Sequence, residues 1–472
     1  MVQYKNNLIE GSVLRSLITL SFPIILANLL QSAYHLTDTF WVGRLGPSAI
    51  AAVSISFPLI FLLISFGGGL NMAGSILVAQ YKGKNNQKAI NHIAGQTFLM
   101  VLVISLFLSV IGYIFAPFLI GLMGTAPSVF SDAVSYLRIS FIGVIFLFTF
   151  FVFQFLMRGV GNVKLPMYIV LGTVLLNLLL DPLFIFGYKM IPAMGVSGAA
   201  LVSVMTQGLS ALVGILILFL GKNGIYIQLK SLRPDFSLIK KIFNLGLPAS
   251  IEQSTRSLGL IALIFLVTSF GTVTLAAYGI ATRMFGLAFI PAMGLSLATS
   301  TLVGQNMGAG KIERAEKTVK ISLVVGFISL TMVGILMFIF APEISAFFIP
   351  GEAETIESSS LFLRIIALTF GLVGIQQSLM GAFRGSGNTL ASMFLSIFGL
   401  WMLRFPLAYI LSKHTGLAEV GIWIAFPVSN IAAALVAALW FLKGTWKNKR
   451  ITEEIKIAEK AVEETIIEEG LQ

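Results

Sequence analysis

Residues 158–162 read Arg158-Gly159-Val160-Gly161-Asn162, and 226 positions later the chain reads Arg384-Gly385-Ser386-Gly387-Asn388. The echo extends outward. A shift of 225 carries Pro23 onto Pro248, Gly46 onto Gly271, Ala51-Ala52 onto Ala276-Ala277, Leu70 onto Leu295, Ser75 onto Ser300, Gln80 onto Gln305 and Gly83 onto Gly308, and a shift of 226 carries Ser203 onto Ser429. Matches held at a nearly fixed offset over that length mark an internal duplication.

The duplicated unit is apolar. Of 472 residues, 57% are hydrophobic and 11% charged, against about 25% charged in soluble domains. Neither a water-exposed surface nor a disordered chain can be built from that supply, so the protein is read as membrane-integral. Runs of full spanning length, rather than alternating segments of about ten residues, make the spans helical. Twelve are predicted, at 16–41, 50–80, 94–119, 132–158, 165–188, 196–220, 240–269, 276–306, 317–341, 360–384, 390–412 and 420–442. Equivalent spans lie six apart, an even number, so both halves enter the bilayer in the same sense. The expected fold is all-α, with two six-helix lobes related by a pseudo-two-fold axis along the membrane normal. The expected divisions are an N-lobe at 1–220, a cytoplasmic linker at 221–241, a C-lobe at 242–445 and an amphipathic cytoplasmic tail at 446–472. The polar N-terminus leads into a full-length span without a small-residue cleavage site, so a retained first helix is expected.

The net charge of +11 does not suggest nucleic acid, because the basic residues punctuate apolar runs instead of forming a patch among stacking aromatics. They gather on one side: Lys82, Lys84, Lys88, Arg158, Lys164, Lys222, Lys230, Lys311, Arg314, Arg384 and Lys443 lie in one set of loops, while the other set holds Arg44, Lys189 and Lys413. The positive-inside rule then places both termini in the cytoplasm of a cell-membrane protein. There is no cysteine, which excludes disulfides, thiolate metal sites and a cysteine nucleophile.

Of the 20 acidic residues, most fall in the tail, in loops or at span ends. Asp38, Asp181 and Glu252 remain at membrane depth, where an ionisable group is costly and usually functional. Asn177 precedes Asp181 by one helical turn, so its amide shares the carboxylate's face. If the first and fifth spans face one cavity, two acids and an amide converge there. Such a pair resists double ionisation and could hold a proton, or its oxygens could ligate a hard cation such as Na+. The repeat counterparts of Asp38 and Asp181 are Leu263 and Leu407, so this pair belongs to the first half alone. Glu252 and Arg256 are four apart and could form a C-lobe ion pair. Arg283 and Arg404 have no evident local partner. His35, three residues from Asp38, could relay protons or simply pack.

Asp38, the run Trp41-Val42-Gly43-Arg44-Leu45-Gly46, the paired RGxGN loops, Asn177 to Asp181-Pro182, and Leu302-Val303-Gly304-Gln305-Asn306-Met307-Gly308-Ala309-Gly310 together resemble the MATE (multidrug and toxic compound extrusion) transporters, most closely their DinF-like branch. The resemblance spans roughly residues 10–445. It implies a non-enzymatic exporter of small amphipathic, organic-cation substrates by alternating access, without a cofactor, driven by H+ or Na+ and functional as a monomer. It places coupling at Asp38, Asn177, Asp181 and Ser203, and a substrate cavity at Tyr34, His35, Tyr136 and Gln154. One departure is that the NorM-like branch carries a glutamate where this chain has Arg256. The rival reading within the same superfamily is a lipid-linked precursor flippase, which would need several cavity cations; Arg256, Arg283 and Arg404 are those available. An enzyme is disfavoured, since His35, His92 and His414 fall on different elements without a metal-ligand pattern.

Overall fold

The computed structural model describes residues 8–448 and 451. Among them the regular structure is helical, apart from a single Tyr188–Ile191 bridge. The first half comprises α1 (Val13–Gly43), α2 (Pro47–Gly83), α3 (Gln87–Leu122), α4 (Pro127–Gly159), α5 (Lys164–Phe186) and α6 (Gly195–Leu220). The second half comprises α7 (Phe236–Thr268), α8 (Thr272–Gly308), α9 (Ile312–Ile339), α10 (Ala341–Phe348), α11 (Ala353–Ala367), α12 (Phe370–Gly385), α13 (Thr389–Ile397), α14 (Phe405–Lys413) and α15 (Ala418–Leu442). Eleven helical segments are long and apolar enough to cross a bilayer, and twelve if α11 and α12, bent by 51°, form one span. The two six-helix lobes expected from the repeat are therefore present.

Three local features depart from the expected spans. The short α10 occupies part of what was read as an outer loop. The tenth span breaks at Thr369, whose hydroxyl donates back to the Ile366 carbonyl at 3.0 Å, a contact that bends helices. The eleventh span widens to a π-type winding over Phe398–Arg404; Pro406, which lacks an N–H and crowds the carbonyl four residues back, accounts for it. The linker is also shorter than 221–241. Asp235 caps α7 by accepting from the Leu238 N–H at 3.0 Å, so Phe236–Lys241 are already helical. Buried Gln96 of α3 clamps the linker by donating to the Ser231 and Arg233 carbonyls, both at 2.7 Å, and by accepting from the Asp235 N–H at 2.9 Å. Beyond Ile451, the expected amphipathic tail lies outside the described residues.

The duplicated RGxGN motif now has a physical reading. Gly161 and Gly387 have φ of +88° and +84°, values open to glycine. A Cβ on Gly159 would lie 2.8 Å from the Ser75 carbonyl oxygen, and one on Gly385 2.4 Å from that of Ser300. Ser75 and Ser300 are themselves repeat mates, so each loop seats against the same point of α2 or α8.

The two lobes meet at the same end of the bundle. Gln80 Nε2 donates to the Gly385 carbonyl at 3.0 Å, and its repeat mate Gln305 donates to the Gly159 carbonyl at 2.9 Å. Helices α2 and α8 cross there so closely that a Cβ on Gly83 or Gly308 would strike the carbonyl oxygen of Gln305 or Gln80, at 1.9 and 1.8 Å. Small residues at such crossings let backbones approach. The seam continues through the Ser65–Ser257 hydroxyl pair at 2.8 Å and the Ser250 hydroxyl, which donates to the Phe66 carbonyl at 2.8 Å.

The cores of the lobes differ. One continuous apolar cluster fills the first lobe, including Leu77, Ile93, Phe148 and Phe153, and runs across the seam to Ala249 and Leu295. The second lobe has two clusters, one around Phe362, Trp423 and Phe426 and one around Leu379, Phe383 and Trp446. Between them in sequence run buried polar residues joined by hydrogen bonds: Thr299 to Ser322 at 2.6 Å, Ser322 to Ser378 at 3.0 Å, and Ser296 to the Gln377 carbonyl at 2.6 Å.

Candidate functional site

Four helices of the first lobe bring the expected site together. Asp38 on α1 and Asp181 on α5 are both buried, at 6% and 0% exposure. The Tyr136 hydroxyl on α4 donates to Asp38 Oδ2 at 3.3 Å, and Asn177 Nδ2 donates to Asp181 Oδ1 at 3.0 Å. The Tyr34 phenol, one turn before Asp38, meets the Thr206 hydroxyl of α6 at 3.1 Å. Ser203 lies within hydrogen-bonding reach of the same phenol. The two carboxylates are near enough to repel each other.

Three buried oxygens here have no hydrogen-bond partner among the described residues: Asp38 Oδ1, Asp181 Oδ2 and Asn177 Oδ1. Buried polar atoms are ordinarily satisfied. Unsatisfied acceptors on two mutually repelling acids fit a proton or a hard cation, and oxygen donors of this kind suit Na+. A transition-metal centre is not what the donor set resembles, since among the described residues no three His, Asp or Glu side chains cluster.

The other expected residues divide. Ser203 and Tyr136 join the constellation. His35 does not bond Asp38; its ring packs edge-on against Tyr34 and Phe57, at 5.7 and 6.2 Å between centroids, and Phe57 lines a separate cavity between α1 and α2 with Thr39, Val42, Ile50, Val53 and Ser54. Gln154 is eighteen residues beyond Tyr136 on α4, about 27 Å along the helix axis, and does not reach the acids. Sequence reading missed Thr206 and Ser210, which follow Ser203 at helical spacing; Ser210 lines a cavity with Gln31, Tyr34, Thr173 and Gln207 beside the acids.

In the second lobe the Glu252–Arg256 pair forms, at 3.3 Å, but Glu252 has a second and closer partner. Arg384, read from sequence as a loop cation, is 3% exposed; its Nη2 bonds Glu252 Oε1, its Nε donates to Oε2 at 3.2 Å and its Nη1 to the Ser296 hydroxyl at 3.3 Å. Among the described residues Arg404 has neutral partners only, Ser429 at 2.9 Å and Asn430 at 2.6 Å. Arg283 is exposed.

Comparison with known proteins agrees with both the fold and the duplication. The sequence profile of the MatE family matches residues 23–183 and 248–410, one segment in each half. The chain is 33% identical to "Probable multidrug resistance protein YoeA" of Bacillus subtilis, over 95% of this chain and 97% of the relative. It is 28% identical to "Probable multidrug resistance protein NorM" of Thermotoga maritima, over 94% and 96%. A solved multidrug resistance MATE family transporter of the MOP superfamily, in an outward-facing conformation, superposes with a TM-score of 0.87 at 25% identity, covering 93% of this chain and 97% of that one.

Proposed function

This chain belongs to the MatE family of multi-span membrane transporters, and from that premise we propose that it exports small amphipathic organic cations by antiport against H+ or Na+. It is a transporter, not an enzyme. The observation that carries the coupling proposal is the set of unpartnered oxygens on Asp38, Asp181 and Asn177. A group able to bind a coupling ion must have lone pairs to spare in a buried, poorly hydrated place.

In this reading the lobes are 1–220 and 236–445, the shortened linker and both termini are cytoplasmic, and one chain suffices. The Gln80–Gln305 clasp then closes the cytoplasmic end. Ion entry at Asp38 and Asp181 from outside binds one conformation more tightly than the other, and only that difference can move the lobes. Tyr34 and Tyr136 orient the site, Tyr136 by holding one oxygen of Asp38 and leaving the other for the ion. The apolar wall of the neighbouring cavity, Leu147, Phe150, Phe151, Val170 and Val174, suits the body of an amphipathic cation.

The test is reconstitution in liposomes with a fluorescent lipophilic cation, under imposed H+ or Na+ gradients. Gradient-driven movement that disappears in Asp38→Asn and in Asp181→Asn supports the proposal and names the ion. Wild-type movement in either variant removes that residue from the mechanism.

A further inference from the structure

At two positions the second lobe places positive charge where the first lobe has none. Repeat mates of Arg256 and Arg404 are Gln31 and Leu178, and Gln31 lines the cavity beside the acids. Glu252 is bonded by Arg384 and Arg256, and Arg404 has no carboxylate partner, so among the described residues these three guanidiniums are met by a single carboxylate. The buried Arg384 consumes most of that carboxylate through the bonds described above. Arg256 keeps a single bond to Glu252, stacks on the Phe289 ring at 5.0 Å, and has 26% of its side chain exposed.

Arg404 closes the π-type winding of the eleventh span. Trp401, on that winding, donates to the Thr255 carbonyl at 3.2 Å, which ties the segment to α7 beside Arg256. The rings beneath the two arginines, Phe289 and Phe426, both pack against Phe285, at 6.0 and 6.5 Å between centroids. Arg404 is also held in a fixed pose: it stacks on Phe426 at 4.4 Å, and Asn430, which accepts from it, donates to Thr369 at 3.1 Å. Its Nη1 and the Nε and Nη1 of Arg256 have no hydrogen-bond partner among the described residues. Two guanidiniums on adjoining segments, braced on one aromatic group and by neutral donors and acceptors, offer a socket for an anion, because guanidinium forks match carboxylate and phosphate oxygens.

We propose that Arg256 and Arg404 form an anion subsite in the second lobe that takes the carboxylate or phosphate of an amphipathic substrate, so that substrates bearing a cation and an anion on one apolar body are preferred over simple cations. This rests on the export reading above for its transport meaning, while the binding itself does not depend on ion coupling.

Rhodamine B, a zwitterion, and its ethyl ester, a cation with the same aromatic body, are the probes. With purified protein in phosphatidylcholine nanodiscs, the zwitterion is expected to bind about tenfold more tightly than the ester. Arg404→Gln should remove that preference and leave ester binding unchanged, and Arg404→Lys should restore part of it. Equal affinities in wild type, or a preference that survives both Arg404→Gln and Arg256→Gln, overturns the proposal. Repeating the titration with phosphatidylglycerol in the disc separates the sources. Loss of the zwitterion's advantage in wild type but no effect of the lipid in Arg404→Gln assigns the subsite to a lipid phosphate and keeps it an anion site. Binding that follows these expectations without gradient-driven transport would refute the export reading while leaving the subsite standing.

Discussion

Asp38 and Asp181 in the first lobe and Glu252 in the second are all carboxylates buried at membrane depth, and they are treated in opposite ways. Glu252 has both oxygens engaged by Arg384 and a further bond from Arg256. The two aspartates have one neutral donor each, and each keeps an oxygen without a partner. A carboxylate neutralised by a guanidinium fork has nothing left to exchange. One held by a phenol or an amide is positioned but not neutralised, and a transient proton or cation can complete it. The partner, more than the acid, separates a fastening from the proposed coupling site.

That contrast can be broken most severely by neutralising each acid in turn. Asp38→Asn or Asp181→Asn should reduce ion-driven efflux by at least a hundredfold while leaving the melting temperature near wild type. Glu252→Gln should do the reverse in kind. Leaving Arg384 buried without its counter-charge costs about 3–5 kcal/mol, read as a large fall in melting temperature. An Asp181→Asn protein that unfolds, or a Glu252→Gln protein as stable as wild type, would erase the distinction.

A milder exchange copies one lobe into the other. The repeat mate of Asn177 is Leu403. Asn177→Leu removes one candidate ligand and the amide that orients Asp181, and is expected to raise the half-saturating ion concentration about tenfold, equivalent to about 1.4 kcal/mol. Unchanged ion dependence would take the amide out of the site.

The seam between the lobes offers a symmetric probe. Gln80→Ala and Gln305→Ala each delete one cross-lobe hydrogen bond, worth about 1 kcal/mol, and their pseudo-symmetry predicts equal effects. Because the chain has no cysteine, spin labels at Lys88→Cys and Glu313→Cys can report the separation of the two ends. Both variants should broaden the distance distribution alike; a large asymmetry would show that one glutamine alone holds the seam.

The smallest effect is expected outside the membrane. Burial pushes the Asp235 carboxyl up, but the His92 ring at 3.0 Å and the backbone N–H groups of Leu238 and Ser237 outweigh it and hold the group below its ordinary value. A lowered folded value means stability that is present at neutral pH and lost as the pH falls through the carboxylate range. The site is partly exposed, so the contribution is about 0.5 kcal/mol. The melting temperature of Asp235→Asn should lie slightly below wild type at pH 7 and converge with it in acid.

The fold was legible because its two signals are redundant: apolar runs of bilayer length, and a repeat that fixes how many there must be and in which sense they run. The acids were legible for a physical reason as well, since so few carboxylates are tolerated at depth that elimination finds them. What could not be read was pairing across the lobe. Arg384 comes to Glu252 from 132 positions away, and its RGxGN setting reads as a turn; only packing shows that the turn's first residue points inward. Thr206 was hidden differently, as one hydroxyl among many on an apolar helix, selected by the reach of Tyr34. The winding at 398–404 leaves only the trace of Pro406.

The clasp of Gln80 and Gln305 has a mechanical consequence. Each lobe supplies one donor and one acceptor carbonyl, and the two bonds sit across a pseudo-dyad, so a rigid rotation that lengthens one must lengthen the other. Neither can yield alone without deforming the Gly83–Gly308 crossing, where the backbones already touch. On the export reading, that end is therefore expected to open in one step, with both bonds breaking together. A barrier that yields only as a unit would let the proposed exporter change sides without a leak.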